Sequence, residues 1–220
     1  MTKPKVFIVG SGYGIDSMFT LHGWDRTYSI LDANLVQFTG GEDVTPALYG
    51  QGVHRKTFFN TARDLREQMV FNLALQYETP MAGICRGGQF LNVMCGGEMW
   101  QDVDNHQLSG THEVIDEFTG EVFYATSTHH QMMLPGKDAI LVASASESRF
   151  KEKVKPNGSI TFVHIKERQA MEDPEVVFYP KQNCLCFQPH PEYGGQEKLS
   201  DIYFHYIKKY CFENVKAKNE

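Results

Sequence analysis

Two hydrophobic rhythms alternate through the first half of this chain: short continuous apolar runs, and apolar residues at every third or fourth position. Lys5 to Val9 reads as a strand buried on both faces. Gly10-Ser11-Gly12-Tyr13-Gly14 then turns the chain into a short helix near Ile15 to Leu21. Leu35-Val36-Gln37-Phe38 is the next strand, and it delivers the chain into a loop from Thr39 to Gly50. From Phe58 to Tyr77 the residues Leu65, Met69, Leu73 and Tyr77 recur every fourth position, with Val70 and Ala74 beside them. Arg63, Asp64, Arg66 and Glu67 lie opposite, which predicts an amphipathic helix with its apolar stripe inward. Glu78-Thr79-Pro80 ends it. A new apolar run, Met81 to Ile84, stops at Cys85, and a helical pattern (Phe90, Leu91, Met94) begins at once.

Three strand–helix alternations predict an α/β fold, a three-layer sandwich with a mostly parallel central sheet covered on both faces. The second half is richer in strand signals: Thr111 to Ile115, Glu121 to Ala125, Ala139 to Ser144, Val176 to Tyr179 and Cys184 to Phe187. Phe150 to Pro174 is charged and aperiodic, and reads as an irregular excursion. A last helix, about Glu197 to Phe212, should bury Leu199, Ile202, Tyr203, Tyr206 and Tyr210 ahead of a polar tail from about residue 214.

Composition narrows this picture. A length of 220 residues suits a single domain over 1–220, and 41% hydrophobic with 22% charged residues is ordinary for a globular protein. No apolar run approaches the roughly 20 residues needed to span a bilayer. The run after Met1-Thr2-Lys3-Pro4-Lys5 is too short for a signal peptide, so a cytoplasmic protein without a membrane partner is expected. Five scattered cysteines suit reduced thiols. Cys184 and Cys186 share a strand face without the further Cys or His ligands of a zinc site, which predicts packing. A formal charge of −6 with no basic run before Lys208-Lys209 argues against a nucleic-acid partner.

The candidate chemistry centres on Gly83-Ile84-Cys85-Arg86-Gly87. A strand that turns this sharply into a helix leaves almost no room for side chains two positions either side of the turning residue, and Gly83 and Gly87 meet that need. The thiol is then lifted above the strand end at a helix N-terminus, where unpaired N–H groups favour a thiolate. This is the cysteine form of a nucleophile elbow; the plainer alternative is a small buried hydrophobe. Gly40-Gly41, also after a strand, can aim a main-chain N–H at an oxyanion or form an ordinary turn. The glycines from Gly10 to Gly14 lack the Lys-Ser/Thr of a phosphate loop and the spacing of a dinucleotide fingerprint, and so predict a plain turn. A base is offered by Gln188-Pro189-His190-Pro191-Glu192. Residues before proline are extended, so His190 and Glu192 point to one side, carboxylate beside imidazole. Alone, the segment reads as a rigid surface turn; with the elbow the balance reverses, and it completes nucleophile, base and orienter.

Gly83 to Gly87 together with His190-Pro191-Glu192 resembles the class I glutamine amidotransferases. Further segments resemble the γ-glutamyl hydrolase branch, which includes γ-glutamyl-γ-aminobutyrate hydrolases and is grouped as peptidase family C26. They are Gly40 to Gly50, Asp64 to Glu67, Cys85 to Val93, Gly96-Gly97 to Gln101-Asp102, and Ser127-Thr128-His129-His130-Gln131. The resemblance runs in order from about residue 38 to 193. It implies a flavodoxin-like sheet, Cys85 as nucleophile, His190 as general base and then acid, and Glu192 as orienter. It also implies an oxyanion hole from the N–H groups of Arg86 and Gly41, and substrate positioning by Gly40, Gln89, His129, His130 and Gln131. The implied reaction attacks a γ-glutamyl amide or glutamine, releases the amine or ammonia and hydrolyses a thioester, with no metal or organic cofactor required.

The chain departs from that pattern in four places. Only about forty residues precede the Gly-Gly loop, so the entrance wall of the pocket is missing or rebuilt. Thr126-Ser127 replaces an Asn-Ser, Pro189 replaces an aromatic residue, and no Asp-Gly-x-Ile-Glu-Ala strand is recognisable from Ala143 onward. These leave the substrate open. Alternatives are a glutaminase that passes ammonia to a partner synthetase, and a non-catalytic binding module on the same fold; a homodimer also stays open.

Overall fold

The computed structural model describes residues 2–12, 14–164 and 172–213. The first half holds strands β1 (Lys5–Val9), β2 (Asp25–Thr27), β3 (Leu35–Phe38) and β4 (Met81–Ile84), with helices α1 (Ile15–Leu21), α2 (Thr61–Gln76) and α3 (Arg86–Met94). Then come β5 (Glu98–Trp100), β6 (Asp102–Val103), β7 (Gln107–Asp116), β8 (Val122–Thr128), β9 (Met132–Leu134) and β10 (Ile140–Ala145). The chain continues through β11 (Phe150–Val154), β12 (Ile160–His164), β13 (Asp173–Tyr179), β14 (Cys184–Phe187) and α4 (Glu197–Tyr206). A π-helical turn, Ile207–Glu213, extends α4.

The central sheet runs in the order β2-β1-β3-β4-β14-β13-β10-β7-β8. The first five of these strands are parallel, and the remaining four are added antiparallel by the strand-rich second half. Helices cover both faces, as the alternation predicts. Ile15, Phe19, Leu199 and Tyr203 of α1 and α4 pack with Ile84 and Leu185 on one side. Phe71, Ala74, Phe90 and Leu91 of α2 and α3 pack with Val36, Phe38 and Met81 on the other. The last helix buries Leu199, Tyr203, Tyr206 and Tyr210, with Ile202 only partly covered. Among the described residues, no helix is long and apolar enough to cross a membrane.

Two expectations are corrected. Helix α2 forms where predicted but faces the other way. Leu65 is 57% and Met69 67% exposed, whereas Asp64, Glu67, Phe71 and Ala74 point inward. Periodicity identifies a stripe, but a charged stripe with partners inside can win the buried side, and Asp64 and Glu67 have such partners. The stretch after Phe150 is also not an irregular excursion: β11 pairs with β12 as a hairpin and with β6 on its other edge. Its alternation is masked because the inward position is Lys151, buried and paired with Asp173 at 2.6 Å. The part of that stretch from 165 to 171, the tail from 214 and Tyr13 lie outside the described residues.

Candidate active site

Strand β4 ends at Ile84, and Cys85 turns the chain directly into α3 with φ 50° and ψ −116°, a backbone that non-glycine residues rarely adopt. The turn is held from three sides. The Cys85 N–H donates to Phe187 O at 2.7 Å, Gln89 N–H donates to Cys85 O at 3.0 Å, and the two glycines allow close approach. A Cβ on Gly83 would stand 2.3 Å from the Gly87 carbonyl group, and one on Gly87 would stand 2.4 Å from Phe38 O. Either addition would push α3 off the sheet.

Because β14 pairs with β4 in parallel, with Phe187 opposite Ile84, the segment leaving β14 rises beside the elbow. His190 is fixed there by its N–H, which donates to Thr126 Oγ1 at 2.7 Å, so the threonine standing in the place of an asparagine has a direct use. Its Nδ1 donates to Glu192 Oε1 at 2.8 Å, and its ring stacks on Tyr193 with centroids 4.4 Å apart. Burial works against a charged imidazole here. The hydrogen bonds and charges of Cys85 and Glu192 outweigh it and push the His190 pKa up to about 11. At neutral pH the proton therefore sits on His190, between the thiol and the carboxylate. Gly40 closes the site on the other side: a Cβ there would lie 3.2 Å from His190 Cε1 and 3.8 Å from Cys85 Cβ.

Beneath the elbow lies an ionic clamp. The buried Arg86 guanidinium donates to Glu67 through Nη1 and to Asp64 through Nη2. Burial and the neighbouring Arg63 pull its pKa down to about 10, which leaves it charged at neutral pH. Asp64 also accepts from the N–H and hydroxyl of Thr45, and Glu67 accepts from Arg63 Nε at 2.8 Å. Arg63 in turn donates to Thr39 O and Gly40 O, at 3.1 and 2.9 Å. The inward charges of α2 thus tie the helix behind Cys85 to the Gly40-Gly41 loop. Local pattern could not reveal this, because Arg86 lies nineteen residues beyond Glu67 in the chain.

Cys85, Gly41, Arg86, Gln89, Asp43 and His130 line an open cleft of about 240 Å³, with His129 and Gln131 in its wall. Asp43 faces His130 across 3.3 Å. Gln89 Nε2 donates to Gln188 Oε1 at 3.1 Å and to Gln131 O at 3.3 Å, and Gln131 Nε2 donates to Thr57 Oγ1 at 3.1 Å. His129 is turned away from the thiol: Nδ1 donates to Gln131 O at 2.9 Å and Nε2 faces Glu175 at 3.8 Å. Burial pulls its pKa down to about 3, so its ring is neutral. The strand bearing Glu175 is β13, predicted from Val176 but beginning three residues earlier at Asp173-Pro174-Glu175, and Glu175 faces His129.

The sequence profile of the peptidase C26 family matches residues 24–157. A glutamine amidotransferase-like protein of Lactococcus lactis subsp. cremoris, the YvdE homolog, is 32% identical over a 117-residue alignment that covers 44% of this chain and 62% of that relative. Protein NtpR of Enterococcus hirae is 36% identical over a 119-residue alignment that covers 51% of this chain and 49% of that relative. The chain therefore spans between 49% and 62% of these relatives' own length. A glutamine amidotransferase structure from Thermotoga maritima shares the fold, with a TM-score of 0.60 at 14% identity over 95% of this chain and 86% of that one. Since the profile covers more than half of the 220 residues, the chain belongs to the peptidase C26 family, within the class I glutamine amidotransferase-like superfamily.

Proposed function

We propose that this protein is a cysteine-dependent hydrolase of γ-glutamyl amides. The observation that carries the reading is the strained Cys85 elbow joined to His190, which Glu192 holds at 2.8 Å. The Cys85 thiolate attacks the γ-carbonyl carbon, and the oxygen of the resulting tetrahedral species is received by the N–H groups of Arg86 and Gly41. Arg86 stands at the first position of α3, where main-chain N–H groups have no acceptor within the helix. His190 gives its proton to the amine nitrogen as the C–N bond breaks, leaving a γ-glutamyl thioester. Water then attacks the thioester carbonyl while His190 takes its proton, and the C–S bond breaks to release glutamate and restore the thiolate. Glu42 and Asp43 on the cleft wall favour a substrate with a cationic α-amino or leaving amine.

The same chemistry would serve a glutaminase feeding a synthetase, and the exposed apolar stripe of Leu65, Met69, Leu73 and Tyr77 on α2 is the feature that favours such a partner. Glutamate release by the purified chain alone, from glutamine and from a panel of γ-glutamyl amines, separates the readings. Release from one γ-glutamyl amine that disappears in Cys85→Ala is expected for the hydrolase. Weak release from glutamine alone would favour the synthetase component, and no Cys85-dependent release from any of them would overturn both.

A further inference from the structure

Next to the cleft, but outside the Cys85–His190 pair, lies a second cluster: His106 just before β7, His112 on it, His129 just after β8, and Glu175 on β13. All four are buried, the most exposed at 5%. Their inward atoms converge on one oxygen, Glu175 Oε1. His112 Nε2 is 3.1 Å from it, His106 Nδ1 3.6 Å and His129 Nε2 3.8 Å. The ligating atoms of His106, His112 and Glu175 all lie within 4.8 Å of one another. In a tetrahedral zinc site with bonds of about 2.0–2.1 Å, neighbouring ligand atoms stand about 3.3 Å apart. The distances from the three imidazoles to Glu175 Oε1 bracket that spacing; His129, outside the three-residue group, closes in on the other two rings when an ion is bound.

The hydrogen bonds point the same way. His129 Nδ1 must carry a hydrogen, because its neighbour Gln131 O only accepts. Its Nε2 faces Glu175 Oε1 at 3.8 Å, beyond hydrogen-bond reach. Among the described residues, His129 Nε2, His112 Nδ1 and Glu175 Oε2 have no hydrogen-bond partner. Two carboxylates, Asp173 and Glu175, are fully buried here, and Lys151 neutralises one of them at 2.6 Å. The other, Glu175, is faced by imidazoles, so its counter-charge is either a proton or a metal ion held by them. The surroundings are those of a metal ligand set: His106 Nε2 contacts Asp173 Oδ2 at 3.0 Å, and Asp173 is itself held by the N–H groups of Glu147 and Ser148.

We propose that His106, His112, His129 and Glu175 bind a divalent transition-metal cation, with Zn²⁺ the best match to three imidazoles and one carboxylate. The ion displaces the contact between His106 Nδ1 and Ser127 Oγ, 3.1 Å apart. With four protein ligands the site is closed, so the ion is structural. It ties β7, β8 and β13 together behind the His129–Gln131 wall. Through Glu175 O, which accepts from Gln188 N–H at 2.8 Å, it also steadies the segment leading to His190.

The test reads metal content rather than turnover, so its result is independent of the proposed reaction. Untagged wild type, Cys85→Ala, His112→Ala and Glu175→Gln are incubated with excess Zn²⁺, desalted and measured by elemental mass spectrometry. About one Zn²⁺ per chain is expected in wild type and Cys85→Ala, and at least tenfold less in the two cluster variants. Wild type loaded with Co²⁺ should show the visible bands of tetrahedral nitrogen and oxygen coordination, without thiolate charge transfer. This second readout stands even if a cluster variant does not fold. Failure of wild type to retain Zn²⁺, retention that disappears only in Cys85→Ala, or thiolate charge transfer in the Co²⁺ form would each overturn the proposal. The first result would leave a proton as the counter-charge of Glu175.

Discussion

At the scale of single residues, what distinguishes Cys85 from the other thiols is its surroundings. Burial pushes the Cys184, Cys186 and Cys211 thiols well above the usual range, whereas Cys85 lines an open cleft beside an imidazole that holds a proton. Iodoacetamide at one equivalent should therefore label Cys85 first, read by peptide mass spectrometry; labelling spread evenly over Cys95 and the buried thiols would refute this. If the triad acts as a unit, Cys85→Ala should lower turnover by ~10⁴-fold or more in a glutamate-release assay. His190 makes a pH prediction. Its folded-state pKa is raised, from 6.5 to about 11, so its stabilising contribution is complete below pH 6.5 and is lost as pH rises toward about 11. The melting-temperature advantage of wild type over His190→Gln should shrink steadily across that window, and an advantage that grows with pH would contradict it.

At the scale of elements, α2 shows how an ionic network can turn a helix. Its buried positions 64, 67, 71 and 74 place two acids and two apolar residues on one line, and Arg86 and Arg63 answer the acids. Removing one partner leaves the buried Arg86 guanidinium undercompensated, so Glu67→Ala should cost about 3–5 kcal/mol in urea denaturation. Met69→Ser, on the stripe that looked like the core face, should change stability by less than about 0.5 kcal/mol. A large loss for Met69→Ser and none for Glu67→Ala would mean that the helix packs the other way round.

For the whole molecule, the decisive feature is the parallel neighbourhood of β4 and β14, two strands about a hundred residues apart in the chain. It brings Cys85 next to His190 and seats Phe187 against Tyr203, with ring centroids 4.9 Å apart. Phe187→Ala should destabilise the protein by about 3–5 kcal/mol in thermal or urea unfolding. A loss below about 1 kcal/mol would show that this core collapses around the cavity.

The sequence by itself determined the elements whose signals are local. Gly83 and Gly87 bracket a turn that only small residues permit, and the prolines around His190 extend the chain so that Glu192 falls beside it. Periodicity placed most of the strands and the four α-helices among the described residues for the same reason, since side-chain direction repeats with backbone geometry. Tertiary structure decided what depends on partners far along the chain. It turned the charged side of α2 inward, because Arg86 lies on another helix. It made a hairpin strand of a segment whose buried residue is a lysine, because Asp173 waits to pair with it. And it gathered His106, His112, His129 and Glu175, each unremarkable in its own segment, because three strands of one sheet end together beside the cleft. A charge is buried only where its counter-charge is, and the sequence carries no local record of that meeting.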